Sequence, residues 1–329
     1  MANIALRSPQ YKYLTAGANT AYVECTIEIN GTIEYTLRKN ASAGDKVTFE
    51  IAELCRDYLD ITFDGTYTSQ YLTIQTIVRA YNASDAAVNA ATFNDKGYDG
   101  YGTFMEGINP VVPFTSLPNT MFTKEPYPAA DAEIYVPIGY AGVVPGITTG
   151  GVLTYYSYTS NQSEIIGTTM GVRVNINRID CTKYGDGHKV TFVNKFGALQ
   201  DIWFFLKTVY TTSKKQEKFQ RNIVNTNVVP TTYDVNTHTK QDYNTVANQK
   251  FTLSSGYYPE WCNQWFEQLM LSEQVWLTRN KLYDRIDQTE VVPVNVTKSS
   301  MVQKTSLNDK LIEYTFDFEL SADYINNVR

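Results

Sequence analysis

Two histidines, His188 and His238, are all the imidazole that this chain of 329 residues holds. Histidine is the commonest general base and metal ligand, so their scarcity restricts catalysis from the start. His188 lies in the turn-like GDGHK and His238 in the Thr-rich VNTHTK, and both read as exposed bystanders. No GxSxG elbow accompanies them, which leaves a Ser-His-Asp triad without a nucleophile. Cys25, Cys55, Cys181 and Cys262 stand far apart and never form a CxxC pair. That spacing offers neither a zinc ribbon nor a disulfide framework. Buried free thiols in a reducing compartment are the expectation.

Four further constellations bear on chemistry. Asn94, Asp95 and Asp99, with carbonyls around Gly97 and Gly100, suit a calcium loop by residue type. They lack the regular DxDxDG spacing and a closing Glu, so the segment reads as a surface loop rich in Asx turns. Gly139, Gly142 and Gly146 are followed by no GKS or GKT, so no P-loop is present. The Lys214–Arg221 cluster suits phosphate contacts, but Glu217 and a single aromatic, Phe219, interrupt it, and a solvated edge is expected. Trp261 and Trp265 suit a carbohydrate platform; their helical spacing with Leu269 assigns them to a core. Paired carboxylates for glycan hydrolysis are a spatial matter, and no pair stands out. The expectation is therefore no enzyme, with no catalytic, cofactor-binding or metal-ligating residue and no cofactor.

Composition bounds what must surround these residues. Hydrophobic residues make up 43% of the chain, which implies packed cores. The 25 Tyr and 15 Phe against 4 Trp, with abundant Thr, Val, Asn and Ile, favour strands and turns over helices. The net charge of −6 gives no overall attraction to nucleic acid or anionic membrane. Charge is unevenly spread: residues 161–221 hold ten Lys or Arg against five acids, and 81–160 hold two against seven. Such asymmetry can orient neighbouring subunits. No apolar leader opens the chain and no run of 18 apolar residues occurs. Synthesis in a cytoplasm without membrane insertion is the expectation.

The elements follow from periodicity. Residues 22–29 alternate, with Tyr22, Ile27 and Ile29 apolar and Cys25 out of phase; Asn30-Gly31 then signals a hairpin to residues 32–37. Ile51, Leu54, Cys55, Tyr58 and Leu59 recur at helical spacing, predicting a short helix on the sheet over 49–59. Residues 69–79 return to strand. Residues 82–150 are broken by prolines at 110, 113, 118, 126, 128, 137 and 145. They read as a long excursion with short strands such as 133–137. Strands follow at 172–177 and 189–194, read as a second hairpin about Gly185-Asp186-Gly187, and a dense aromatic strand at 201–210. Residues 228–246 read as an exposed arm or edge strand. Pro259 opens a helix to Leu271 with a stripe of Trp261, Trp265, Phe266, Leu269 and Met270. Strands at 274–278, 282–287, 291–297 and 311–320 close the chain. In the last, Ile312, Tyr314, Phe316 and Phe318 share a face.

No βαβ rhythm appears. The fold class expected is mainly β, with antiparallel sandwich or barrel regions and a few short packing helices. Three regions are expected. Residues 1–80 form a β-hairpin plus helix. Residues 81–168 form a loop-rich excursion for contact between subunits. Residues 169–329 form a β-sandwich or barrel with the helix near 259–271.

VTFVNKFGALQDIWFFLKT, the SG…WCNQWFEQLMLSEQVWL unit and the closing LIEYTFDFELSADYINNV resemble virion proteins of short-tailed phages of Bacteroidota, the crAss-like group. The early VTFEIAELCRDYL is similar to an element of the same proteins, and the likeness spans about half the chain. It implies a collar, ring or hub subunit of the tail, a homo-oligomer ringing the DNA exit channel. Its partners would be other tail and portal-proximal virion proteins, with genomic DNA passing through the lumen without specific binding. The competing reading is a fibre or adhesin that binds a carbohydrate or receptor, though no fibre-like repeat or Gly-rich stalk is present. A β-rich glycan hydrolase ranks below both.

Overall fold

The computed structural model describes residues 2–101, 131–148, 151–159, 165–169, 172–180, 187–280, 289–305, 310–322 and 325–326. Strands dominate, and the described residues contain two short α-helices. The mainly-β expectation holds. No helix among them is long and apolar enough to cross a membrane.

The first unit comprises β1 (Ala2–Ala5), β2 (Tyr11–Thr15), β3 (Tyr22–Ile29), β4 (Thr32–Asn40), β5 (Lys46–Glu50), α1 (Ala52–Arg56), β6 (Leu72–Tyr81) and β7 (Ala87–Tyr98). Its main sheet runs β1-β7-β6-β3-β4, with β1 parallel to β7 and the other pairs antiparallel. The β2–β5 pair and α1 cover one face, burying Leu14, Phe49, Ile51 and Cys55 against Cys25, Ile27, Ile74 and Val78. Cys25 is in phase with Ile27 and Ile29, all buried; Tyr22 is the residue out of step, correcting the phase expected from sequence. Asn30 (φ 50°) and Gly31 (φ 87°) make the turn between β3 and β4 with left-handed backbone at both positions. The expected helix is shorter than 49–59, because Phe49 is spent in β5.

A middle group holds β8 (Asp131–Pro137), β9 (Gly142–Ile147), β10 (Leu153–Tyr158), β11 (Ile165–Thr169) and β12 (Val172–Ile179). β9 pairs with β10, while β11, β12 and β8 form a small sheet with β12 parallel to β8. The C-terminal part contains β13 (His188–Val193), β14 (Leu199–Phe204), β15 (Thr208–Gln220), β16 (Val224–Asn225), β17 (Thr232–Tyr233), β18 (Lys240–Ser254) and β19 (Tyr258–Pro259). A 3-10 turn (Glu260–Cys262) then leads into α2 (Asn263–Leu271), followed by β20 (Val275–Asn280), β21 (Thr289–Val296), β22 (Leu311–Ile312), β23 (Thr315–Leu320) and β24 (Ile325–Asn326). Its sheet runs β14-β13-β20-β21-β23-β18-β15, antiparallel throughout. Trp265, Phe266 and Leu269 of α2 pack against Phe204, Phe251, Phe316 and Phe318, and Ile134, Val136, Val144 and Ile176 join the same core.

Three expectations need correction. The excursion assigned to 81–168 is shared between the two units: β7 completes the first sheet, and β8 and β9 bury their apolar side chains in the C-terminal core. Residues 102–130 lie outside the described residues. The hairpin expected between 172–177 and 189–194 does not form. β12 pairs with β8 and β11, and β13 instead turns through Asn194 to Ala198 into β14, since the Asn194 side chain there accepts from Phe196 and Ala198 amides. The aromatic strand at 201–210 is split between β14 and β15. The strand expected at 282–287 lies outside the described residues.

The two units meet across a tight junction. Gly100 and Gly197 face each other, and a Cβ on Gly100 would stand 2.2 Å from the Phe196 carbonyl carbon. The Tyr101 amide donates to the Lys195 carbonyl at 2.6 Å. Arg7 donates in two-pronged fashion to Asp99, at 2.7 and 2.9 Å, and reaches Glu273 at 2.7 Å. Arg56 reaches the same Glu273 carboxylate at 3.4 Å. These guanidinium contacts, Arg7 first, hold the Glu273 carboxyl below its ordinary range.

Candidate functional site: a two-stranded arm

The residues with chemical potential in the sequence are not brought together. His188 is half-buried in β13 with its Nε2 3.3 Å from the Tyr210 hydroxyl, so the exposed position expected for it is corrected; His238 is exposed. Cys25, Cys55 and Cys262 are buried, and Cys181 lies outside the described residues. Asn94, Asp95 and Gly97 sit in β7, contrary to the surface loop expected at 94–102. Asp95 is buried with Lys12 Nζ at 2.6 Å, and Asp99 is held by Arg7. No group of three or more His, Cys, Asp or Glu among the described residues is placed to hold a metal. Trp265 is buried, and Trp261 meets it edge-on at 87°, so the pair presents no flat platform.

What the sequence did not join is the long ladder of β15 and β18. These strands pair from Thr208↔Leu253 out to Gln220↔Lys240. β23 supports the inner end of β18 from Lys250 to Ser254, and β24 touches it at Val246 and Ala247. Beyond Val246 the ladder has two strands only among the described residues. At that point the register slips between Lys215 and Glu217, and Asn244 takes a left-handed φ of 48°. A bulge of this kind bends a ribbon and raises its twist, re-aiming it as it leaves the sheet. The outer strands from Lys215 extend for roughly 20 Å at about 3.3 Å per residue.

Local polar contacts shape this arm, since it has no core of its own. Phe219 and Tyr243 meet edge to face at 5.7 Å, and Lys214 pairs with Asp242 at 3.3 Å. A hydrogen bond to Glu217 raises the Tyr243 phenol above its ordinary value. At the tip, the side chains of Asn222, Asn225 and Asp234 accept from the amides of Val224, Asn227 and Asn236 at 3.0, 3.1 and 2.9 Å. These Asx turns fix the loop without burying anything. They also lower the Asp234 carboxyl, the Asn236 amide contributing most.

The arm's surface is unusual for water. Val229 is 95% exposed, Val235 74% and Tyr233 65%, and Phe219, Val228 and Tyr243 are also open. Between 222 and 239 the only charged side chain is Asp234. Lys214, Lys215, Lys218, Arg221 and Lys240 lie nearer the base, on both faces of the ribbon, and form no convergent phosphate site. The arrangement presents apolar side chains to solvent on a mostly uncharged loop. Its signal in the sequence was two Thr-, Asn- and Lys-rich stretches whose lengths match as partners in one ladder. Comparison with protein-family models, curated proteins and solved structures finds no match to this chain.

Proposed function

We propose that the chain is a structural subunit of a bacteriophage tail, of the ring, collar or hub kind, assembling into a symmetric ring about the DNA exit channel. The arm carries this reading. A ribbon of two strands is marginally stable by itself in water. One that displays valines and tyrosines on a tip with a single charged side chain, Asp234, needs a neighbouring surface to cover them. A contact between an arm and a different patch on the next copy is heterologous, and such contacts generate rings when the rotation closes. The resemblance of VTFVNKFGALQDIWFFLKT, the SG…WCNQWFEQLMLSEQVWL unit, LIEYTFDFELSADYINNV and VTFEIAELCRDYL to crAss-like virion proteins supports the same reading. The net charge of −6 suits a lumen through which DNA slides without adhering.

Solution mass of the purified protein with negative-stain imaging tests the reading. Closed rings, formed alone or on addition of the other tail proteins, are the expected result. A stable elongated trimer overturns it in favour of a fibre, and a monomer that joins no virion protein overturns it outright.

A further inference from the structure

A second feature is independent of the arm and of the tail reading. Three parts of the chain enclose a cleft of about 550 Å³, within the size range of small-molecule sites. The segment after α1 contributes Thr66 and Tyr67; the β8–β9 turn and β10 contribute Tyr140 and Tyr155; the C-terminal sheet contributes Lys189, Trp203 and Thr278. We propose that this cleft binds a neutral pyranose.

The aromatic side chains form two tilted pairs. Tyr140 packs on Trp203 at 4.7 Å, and Tyr67 on Tyr155 at 5.4 Å. Their positions are fixed by other bonds. The Tyr67 hydroxyl donates to Asp201 Oδ2 at 2.5 Å and accepts from Lys189 Nζ at 2.9 Å. Asp201 Oδ1 in turn accepts from Thr191 at 2.7 Å. A rigid, bonded wall of this kind is preorganised for a ligand.

Polar capacity remains unspent beside these rings. Thr278 Oγ1 is buried with no hydrogen-bond partner. The Tyr155 oxygen accepts from the Leu199 amide at 3.0 Å and still has its own proton to give. Burial keeps that proton on by raising the phenol. The Lys189 ammonium has three donors, of which Tyr67 takes one. Native proteins rarely leave buried polar atoms unmet, and such atoms call for a partner.

Charge and shape select the class. Asp201, 4.0 Å from Lys189 Nζ, balances its charge, so the wall lacks the excess positive charge that a phosphate or carboxylate needs. A purely apolar ligand would leave the hydroxyls unsatisfied. A sugar ring supplies both requirements: a face of C–H groups for the aromatic rings and a rim of hydroxyls for Thr278, Tyr155 and Lys189.

The test is saturation-transfer NMR and tryptophan fluorescence with the methyl pyranosides of glucose, galactose, mannose and N-acetylglucosamine. At least one is expected to bind saturably with a roughly millimolar dissociation constant. Thr278→Val should weaken it about tenfold while leaving the melting temperature unchanged or raised, because an unmet buried hydroxyl is removed. Tyr67→Phe, which keeps the ring, should weaken binding too and provides a second readout. No saturable response to any of the four overturns the proposal. So does binding that both variants leave intact, or inorganic phosphate binding in competition with the sugar. None of these outcomes depends on whether the protein forms rings.

Discussion

Trp265 is 2% exposed in the first turn of α2, flanked by Trp261 at 5.0 Å and Tyr135 at 6.4 Å. Truncating an indole in such a site removes its transfer free energy and leaves a cavity. Trp265→Ala is expected to cost about 3–5 kcal/mol in urea unfolding. A loss below 1 kcal/mol would mean that α2 sits loosely on the sheet. The cysteines give a second residue-scale prediction. Burial pushes the Cys25 thiol up to about 11 and Cys55 up to about 12. An unfolded thiol titrates near pH 8.5, so above that pH the unfolded chain releases protons that the folded chain retains. Stability therefore falls as pH rises. The urea midpoint should decline between pH 8 and about 9.5, before free phenols titrate. The Cys25→Ala, Cys55→Ala variant, though less stable, should show a flatter decline over the same range.

At the scale of elements, the β3–β4 hairpin is the clearest case of a local signal deciding structure. Gly31 has open space around its α-carbon, so a side chain there meets no clash and the cost of substitution is conformational. Gly31→Val should destabilise the protein by about 1–2 kcal/mol, the penalty of left-handed backbone for an L-residue. Chemical unfolding reads it directly, and an unchanged midpoint would show that the turn relaxes to another type. The same hairpin shows where periodicity stops being sufficient. Alternation groups Ile33 with Tyr35 and Leu37, yet a bulge pairs Ile33 with Glu28 and Tyr35 with Ile27. Ile33 is thereby turned to solvent while Tyr35 and Leu37 pack. The strand expected at 311–320 is broken into β22 and β23, yet its inward face was legible because Ile312, Tyr314, Phe316 and Phe318 alternate, and all four are buried. The helix at 260–271 was legible from Pro259 and its apolar stripe. The pairings of β12 with β8 and of β13 with β20 were not, because each joins strands distant in sequence that turn chemistry at 181–187 alone could not settle. The sugar cleft was hidden for the same reason: Tyr67, Tyr155 and Thr278 are far apart in sequence and converge only through tertiary packing.

For the whole molecule, the proposed assembly role of the arm can be separated from folding. Its outer half contributes nothing to either large core, so its removal should leave the rest standing. Excising 222–239 and closing the ribbon with Asn-Gly is expected to keep the melting temperature within about 2 °C. The same variant should lose self-assembly and co-assembly in mass photometry. Retained rings would move the contact elsewhere on the subunit. The ion network at the junction has a different kind of consequence, one of timing. Arg7 and Glu273 are separated by 266 positions in the chain. A ribosome adding about 5–20 residues per second needs roughly 13–53 s to travel between them. Once β7 has been made, the first unit exists for the rest of that interval with Arg7 and Arg56 still waiting for this carboxylate. Its own core must therefore hold it together while the second half is being made, and the final lock between the halves closes only once α2 has left the exit tunnel.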